Sequence, residues 1–339
     1  MAPVSRTFAR VAAALLGVAA AALIAIPAAL AAFTAPADNP GDTVTAAPDF
    51  RAPAIEAVAL AKKAGSVSGF VKQGGAYFVY AKVAADTGNP ASGIAGVKAD
   101  ASASTPGQAA VPLLAGSYAV GGASFNYRSE ELTAAATLAE GARAFTVTTS
   151  DNAGNANLAN GSATVDNTPP QASDIQTTSA GSNGLAEQND AIVFSFSEPI
   201  DPESVLAGWT GGATAVTVRV SDGGLLGLPV GDDGFQVYNA ANTATLPLGT
   251  VDLGRGDYAA GLLGGHYRFL SSTMAMSGSA ITVTLGPFSQ PGVLEAANRT
   301  AAAAAGTMVW TPVATPFDRA GNVISATAAT ESGAADKDF

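Results

Sequence analysis

Residues 145–155 read FTVTTSDNAGN. Phe145, Val147 and Thr149 alternate with Thr146 and Thr148, the period of two that sends successive side chains to opposite faces of a strand. The run then meets Asp151-Asn152-Ala153-Gly154-Asn155. Glycine accepts the positive φ of a tight reversal, and Asp and Asn bond to the backbone around it. This stretch therefore predicts a strand running into a hairpin turn, with Ala163–Val165 closing the series. D-x-A-G-N recurs as DRAGN at 318–322, ahead of VISATAAT, so the same reversal is expected near the end of a second block.

Working outward, Tyr77, Val79, Ala81 and Val83 share one face of a strand, and Ile94–Lys98 and Phe125–Tyr127 read as further short strands. Asp86-Thr87-Gly88-Asn89-Pro90 is dense turn chemistry. DNTPPQAS at 166–173 cannot sustain a ladder through its paired prolines and reads as a linker, with a boundary at Pro170. Beyond it, three groups alternate with mostly polar partners: Ile192, Phe194 and Phe196 with Val193, Ser195 and Ser197; Val216, Val218 and Val220 with Thr217, Arg219 and Ser221; Ile281, Val283 and Leu285 with Ala280, Thr282 and Thr284. The best helical candidates are Glu130–Glu140 and the alanine-rich Pro291–Ala305. Short strands in two blocks, with 38 Gly and 19 Pro to turn them, predict an all-β chain of two tandem antiparallel sandwiches after an N-terminal signal helix.

Composition narrows the function classes. Charged residues are only 13% of 339, the net charge is −11, and no basic cluster stands out, so nucleic-acid binding is not expected. Without cysteine, each block must be held by its apolar core. Arg6 and Arg10 precede an apolar run from Val11 to Ile26, then Pro27 and the small residues Ala29-Leu30-Ala31. That order is a secretory signal, with cleavage between Ala31 and Ala32 and Ala29 at the −3 position; the alternative is an uncleaved membrane anchor, since Val11–Phe33 is long enough to span a bilayer. Membrane contact is expected only through this segment before cleavage, and the product is expected outside the cell or at its surface.

Several stretches resemble known families. Ala29–Ala31 followed by Phe33-Thr34 and by Asp42-Thr43-Val44-Thr45-Ala46-Ala47 resembles the SipW-type signal peptide of bacterial camelysin-like and biofilm-fibre proteins, with Asp for Asn, Val for Phe and Ala for Gly. ASGIAGVKAD, SFNYRS, FTVTTSDNAGN and TVDNTPP resemble a bacterial Ig-like domain. VFSFSEPIDPESV at 193–205, with DRAGN near the end, resembles the SbsA-type Ig-like domain of surface-layer and adhesin proteins. These resemblances imply a signal peptide at 1–31, an N-terminal segment and linker at 32–70, a bacterial Ig-like domain at 71–170 and an SbsA-type Ig-like domain at 171–339, with 221–271 as an insertion. They also imply a non-enzymatic structural or adhesive protein of the bacterial cell surface or extracellular matrix. Its partners would be other surface proteins or further copies of itself. The alternative is a carbohydrate- or ligand-binding accessory module of a secreted hydrolase system.

His266 is the only histidine, no G-x-S-x-G elbow accompanies it, and a zinc site lacks ligands. Glu198 and Asp201 are close enough for paired-carboxylate hydrolysis, but Asp201 better suits the cap of a one-turn helix at Pro202-Glu203-Ser204. Lys82 and Lys98, on strands, suit solvated faces better than an internal Lys–Asn cross-link. Trp209, Tyr238 and Tyr258 are candidates for sugar stacking, with core packing the commoner fate. Asp86, Asp151 and Asp166, in loops and at the linker, read either as ordinary solvated turn carboxylates or as oxygen ligands of calcium, the one cofactor the pattern admits.

Overall fold

The computed structural model describes residues 49–88, 90–224, 231–261, 265–293 and 295–339. The signal segment, with Ala29, Ala31 and Ala32, lies outside the described residues. Nine strands precede the DNTPPQ segment: β1 (Ile55–Lys62), β2 (Phe70–Val71), β3 (Ala76–Val83), β4 (Ile94–Asp100), β5 (Val111–Val120), β6 (Ala123–Ser129), β7 (Leu132–Thr133), β8 (Gly141–Asp151) and β9 (Ala156–Val165). Twelve follow it: β10 (Ala172–Thr178), β11 (Ala191–Phe196), β12 (Thr214–Ser221), β13 (Gly234–Asn239), β14 (Thr250–Asp252), β15 (Ala259–Gly261), β16 (His266–Ser277), β17 (Ala280–Thr284), β18 (Phe288–Ser289), β19 (Ala297–Arg299), β20 (Val309–Thr311) and β21 (Ala329–Thr330). One 3-10 turn, Pro202–Ser204, lies between β11 and β12. The chain is all-β, and among the described residues no α-helix occurs.

No ladder joins the two groups of strands. The first runs β1-β3-β6-β5-β4-β8-β9-β2 and is antiparallel except for the β2–β9 pair. β5 makes it continuous: residues 111–112 pair with β4, and residues from Leu113 onward pair with β6. The second runs β10-β11-β17-β16-β12-β13-β14-β20-β21, with β15 and β19 as a separate pair. The segment 221–271, expected as an insertion, supplies β13, β14, β15 and the start of β16 to this group.

Alternation explains what each group buries. On β8, Phe145, Val147, Thr149 and Asp151 all point inward, so the same period that builds the core delivers the first residue of DNAGN to its buried end. On β11 and β12 the inward sets are Ile192, Phe194 and Phe196, and Val216, Val218 and Val220. The second core centres on Trp310, fully buried, with Phe194 and Phe196 edge-on at 5.2 and 5.1 Å and Nε1 donating to the Leu248 carbonyl at 2.6 Å. The first core is smaller and built on Tyr77, Val79, Phe145 and Val147.

Both expected helices are absent, for the same reason. In Glu130–Glu140 the amides of Ala134 and Ala135 donate to the carbonyls of Gly75 and Ser104, while Leu132, Ala134 and Leu138 enter the core. In Pro291–Ala305 the amides of Ala302 and Ala303 donate to the Gly184 carbonyl and to Asp257 Oδ2. Tertiary partners take the donors that a helix would use, and alanine's small propensity advantage does not outweigh them. Order also starts earlier than the expected boundary at residue 71, because Ile55–Lys62 pairs with β3. Replacing Trp310 with alanine should cost about 3–5 kcal/mol of stability, read as a lowered denaturant midpoint; a loss below about 1 kcal/mol would mean that Trp310 is not the centre of this core.

Candidate functional site

The two D-x-A-G-N turns are wired alike. In the first, Asn155 donates its backbone N–H to Asp151 Oδ1 and its side-chain amide to Asp151 Oδ2, both at 2.7 Å. In the second, Asn322 donates to Asp318 Oδ1 at 2.8 Å and to Oδ2 at 2.7 Å. Gly154 and Gly321 stand at φ 91° and 96°, where a β-carbon is disfavoured. Each Asn amide also reaches beyond its turn. Asn155 Nδ2 donates to the Asp49 carbonyl at 3.1 Å, and Asn322 Nδ2 to the Asp166 carbonyl at 2.9 Å. Asp49 lies just ahead of β1, and Asp166 just ahead of β10. Each turn thus clamps the chain at the point where it enters that group of strands, which is why the pentapeptide occurs once per group.

The clamp gathers carboxylates. Asp49, Asp86 and Asp151 each place an oxygen within 4.8 Å of the other two, and so do Asp166, Glu198 and Asp318. The sequence expectation of Asp86, Asp151 and Asp166 is therefore divided: Asp86 and Asp151 meet, and Asp166 belongs to the other trio. Asp49 and Asp318 complete the sets, and Glu198, weighed as a catalytic acid, joins the second. A third trio, Glu331, Asp336 and Asp338, lies near the end of the chain.

The first two trios fit a hard cation by their donor chemistry. Calcium takes oxygen ligands at about 2.3–2.6 Å, so oxygens on opposite sides of one ion stand about 5 Å apart. The hydrogen bonds to Asp49, Asp86 and Asp151 orient their oxygens and leave each carboxylate with further lone pairs. In the second trio, three backbone N–H groups from Ala320, Gly321 and Asn322 converge on Asp318 Oδ1. Carboxylates packed this closely suit a cation better than they suit a glycoside-hydrolysing pair, which needs about 5 Å or more to flank the bond.

The second trio sits beside a joint between the two groups of strands. Lys62, at the end of β1, is buried and places Nζ 2.5 Å from Oδ2 of the fully buried Asp201. Nζ also donates to the Arg319 carbonyl at 2.8 Å. Ser66 and Val67 direct weaker backbone bonds at Asp201, and Lys72 Nζ donates to the Gly321 carbonyl at 2.6 Å. The Arg319 guanidinium lies 4.4 Å from the Phe70 ring centre. Arg319 and Gly321 of the second turn contact residues that precede the linker, and Asn322 contacts Asp166 at its start. Asp201 does cap the 3-10 turn, accepting from the Glu203 N–H at 3.1 Å, and its second duty to Lys62 was invisible in the sequence because residues 32–70 read as a linker.

Other expected residues scatter. His266 opens β16, and burial together with the charges of Arg219 and Arg268 pushes its pKa below the ordinary value. Trp209 and Tyr258 are core residues, and only Tyr238 is partly exposed, with Arg219 over its ring. Lys82 is exposed and paired with Glu56, and Lys98 is exposed. Among the described residues, no helix is long and apolar enough to cross a membrane. No protein-family model matches the chain, and no curated protein matches it.

Crowding of like charges leaves a pH signature. Burial, with Asp166 and Asp318 beside it, pushes the Glu198 carboxyl up to about 7 from an ordinary 4.5. A carboxyl whose pKa is higher folded than unfolded favours the fold while protonated, so its contribution is full below pH 4.5 and is lost as pH rises through about 7. Burial likewise raises Asp233 to about 6 and Asp338 to about 7, with the same sign. In chelator, the melting temperature should therefore fall between about pH 5 and pH 8, and Glu198→Gln should flatten part of that fall. An unaltered slope in Glu198→Gln would mean that Glu198 ionises without strain.

Proposed function

We propose that the chain is an exported, non-enzymatic protein of the bacterial cell surface or extracellular matrix, built of two Ig-like modules that calcium stiffens, with a structural or adhesive role. The observation that carries this reading is the repeated clamp: the same Asp–Asn turn, at the entrance to each group of strands, holds three acidic side chains together. In the first trio Asp49, Asp86 and Asp151 would be the ligands, and in the second Asp166, Glu198 and Asp318. Bound calcium would supply the positive charge that lets each trio stay ionised in place. It would then fix the entering segment against the turn, and at the second trio it would add to the contacts of Lys62 and Lys72 across the joint. A joint stiffened without disulfides suits a surface spacer or matrix subunit. The export signal and the resemblance to surface-layer and adhesin modules support the same location.

Two readouts test this together. Calcium should raise the melting temperature relative to chelator. A site at about a hundred times its Kd contributes about 2.7 kcal/mol, which in a chain of this size corresponds to several degrees. The gain should shrink in Asp151→Asn and again in the double variant with Asp318→Asn. Light scattering over a concentration series with calcium present then separates a self-assembling matrix subunit from a monomeric spacer. An identical melting temperature in calcium and in chelator would overturn calcium as the stiffening ion.

A further inference from the structure

β12 and β16 are neighbours in the second ladder, and their inward residues are apolar: Val216, Val218 and Val220 on one, Tyr267 and Phe269 on the other. The period of two therefore turns Arg219, His266 and Arg268 to the opposite face. Arg219 stands directly across from Arg268, and Ser221 across from His266. Gln236 on β13 extends the row beyond Arg219, and Ser289 on β18 extends it beyond Arg268. Like charges directly opposite on a sheet are destabilising. In a chain with 27 acidic and 16 basic residues, a neighbouring carboxylate would be the ordinary remedy. Among the described residues none is supplied: the ion pairs use Lys62, Lys63, Lys82 and Arg255. Glu295, whose carbonyl accepts from the His266 N–H, is exposed and makes no ion pair with the three.

The two arginines are held differently. Arg219 is fixed: Nε donates to Asn242 Oδ1 at 2.8 Å, Nη2 donates to the Asn242 carbonyl at 3.1 Å, and the guanidinium lies 4.0 Å from the Tyr238 ring centre. Asn242 adopts φ 57°, a left-handed conformation that brings both of its acceptors to Arg219. Arg268 has no such anchor. Its Nε is enclosed by protein and has no hydrogen-bond partner, and the same is true of His266 Nε2. Both atoms are closed to solvent, as Arg128 Nε on β6 also is, so a ligand would meet the Nη groups of Arg268, which make no hydrogen bond within the protein.

We propose that Arg268, with Arg219 and His266 beside it, binds the single carboxylate of a small acidic sugar of the uronic acid class. A guanidinium presents a planar fork of donors that matches a carboxylate in two bonds. A lone carboxylate is the fitting occupant because the net charge of −11 repels a polyanion as a whole, while one charge meets two guanidiniums without carboxylate partners locally. Ser221, Ser289 and Gln236 ring the cations with groups that bond sugar hydroxyls. This site lies on a sheet face and does not depend on the carboxylate trios or on calcium.

Titration calorimetry with glucuronate, with glucose and with inorganic phosphate tests it, on the protein itself and on Arg268→Gln, Arg268→Lys and Arg143→Gln. Arg143 is a control from β8, where its guanidinium bonds only nearby carbonyls. Glucuronate should bind the parent and Arg143→Gln equally, about tenfold or more weakly in Arg268→Gln, and more weakly in Arg268→Lys, which keeps the charge and loses the fork. Glucose should not bind. Arg268→Gln should melt no lower than the parent, since it removes one of two facing like charges; if it does not fold, Arg268→Lys carries the comparison. Absence of glucuronate binding, binding indifferent to Arg268, or tighter binding of phosphate than of glucuronate would each overturn the proposal.

Discussion

The buried ion pair between Lys62 and Asp201 is the constraint on which the arrangement of the chain depends. Two charges taken out of water are costly to hold, and they are tolerated only when each is matched and hydrogen-bonded. Here each is. Lys62 meets a carboxylate and the Arg319 carbonyl, and Asp201 meets an ammonium, two backbone amides of the 66–67 loop and the first turn of the 3-10 helix. One partner comes from β1 and the other from the segment after β11, so neither group of strands satisfies its own charge alone. The described residues accordingly form one compact unit, although no strand pairing crosses the linker.

Around that pair, the second D-x-A-G-N turn does what the first does and more. Both use the Asn amide to hold the entering chain and the Asp carboxylate to build an acidic trio. The second also hands its carbonyls at Arg319 and Gly321 to Lys62 and Lys72. A turn that is a local hairpin device in one module becomes the contact surface between modules in the other. The same segment therefore carries stabilising cation–carbonyl contacts and, beside them, the repulsion among Asp166, Glu198 and Asp318.

The parts of the fold legible in the sequence are those set by local periodicity. Phe145–Thr149, Ile192–Phe196, Val216–Val220 and Ile281–Leu285 read as half-buried strands because one face of each is apolar and the other polar, and all four lie on strands or reach just past one. The turn at DNAGN was legible because glycine and the flanking Asp and Asn leave the backbone few choices. Where long-range partners decide, local signals mislead. The alanines of 301–305 favour a helix until the Gly184 carbonyl and Asp257 take their amides. β5 hides behind Pro112 and Gly116 because it divides its pairing between two neighbours. In the candidate sites, Asp86 and Asp151 were legible as loop carboxylates, but Asp49, Glu198 and Lys62 acquire their roles only from residues far away in the chain. The row of Arg219 and Arg268 was equally hidden, since it arises from the register between β12 and β16.

Coupling across the joint is measured most directly by equilibrium unfolding of the protein and of Lys62→Ala, followed at once by far-ultraviolet circular dichroism and by tryptophan fluorescence. Trp209 and Trp310 both belong to the second group of strands, so fluorescence follows that group while circular dichroism follows both. Removing one partner of a buried pair typically costs about 3–5 kcal/mol. The parent should unfold in one transition with coincident probes, and Lys62→Ala should unfold at lower denaturant with the two probes separated. Coincident probes and an unchanged midpoint in Lys62→Ala would contradict the ion pair as the element that binds the two halves into one cooperative unit.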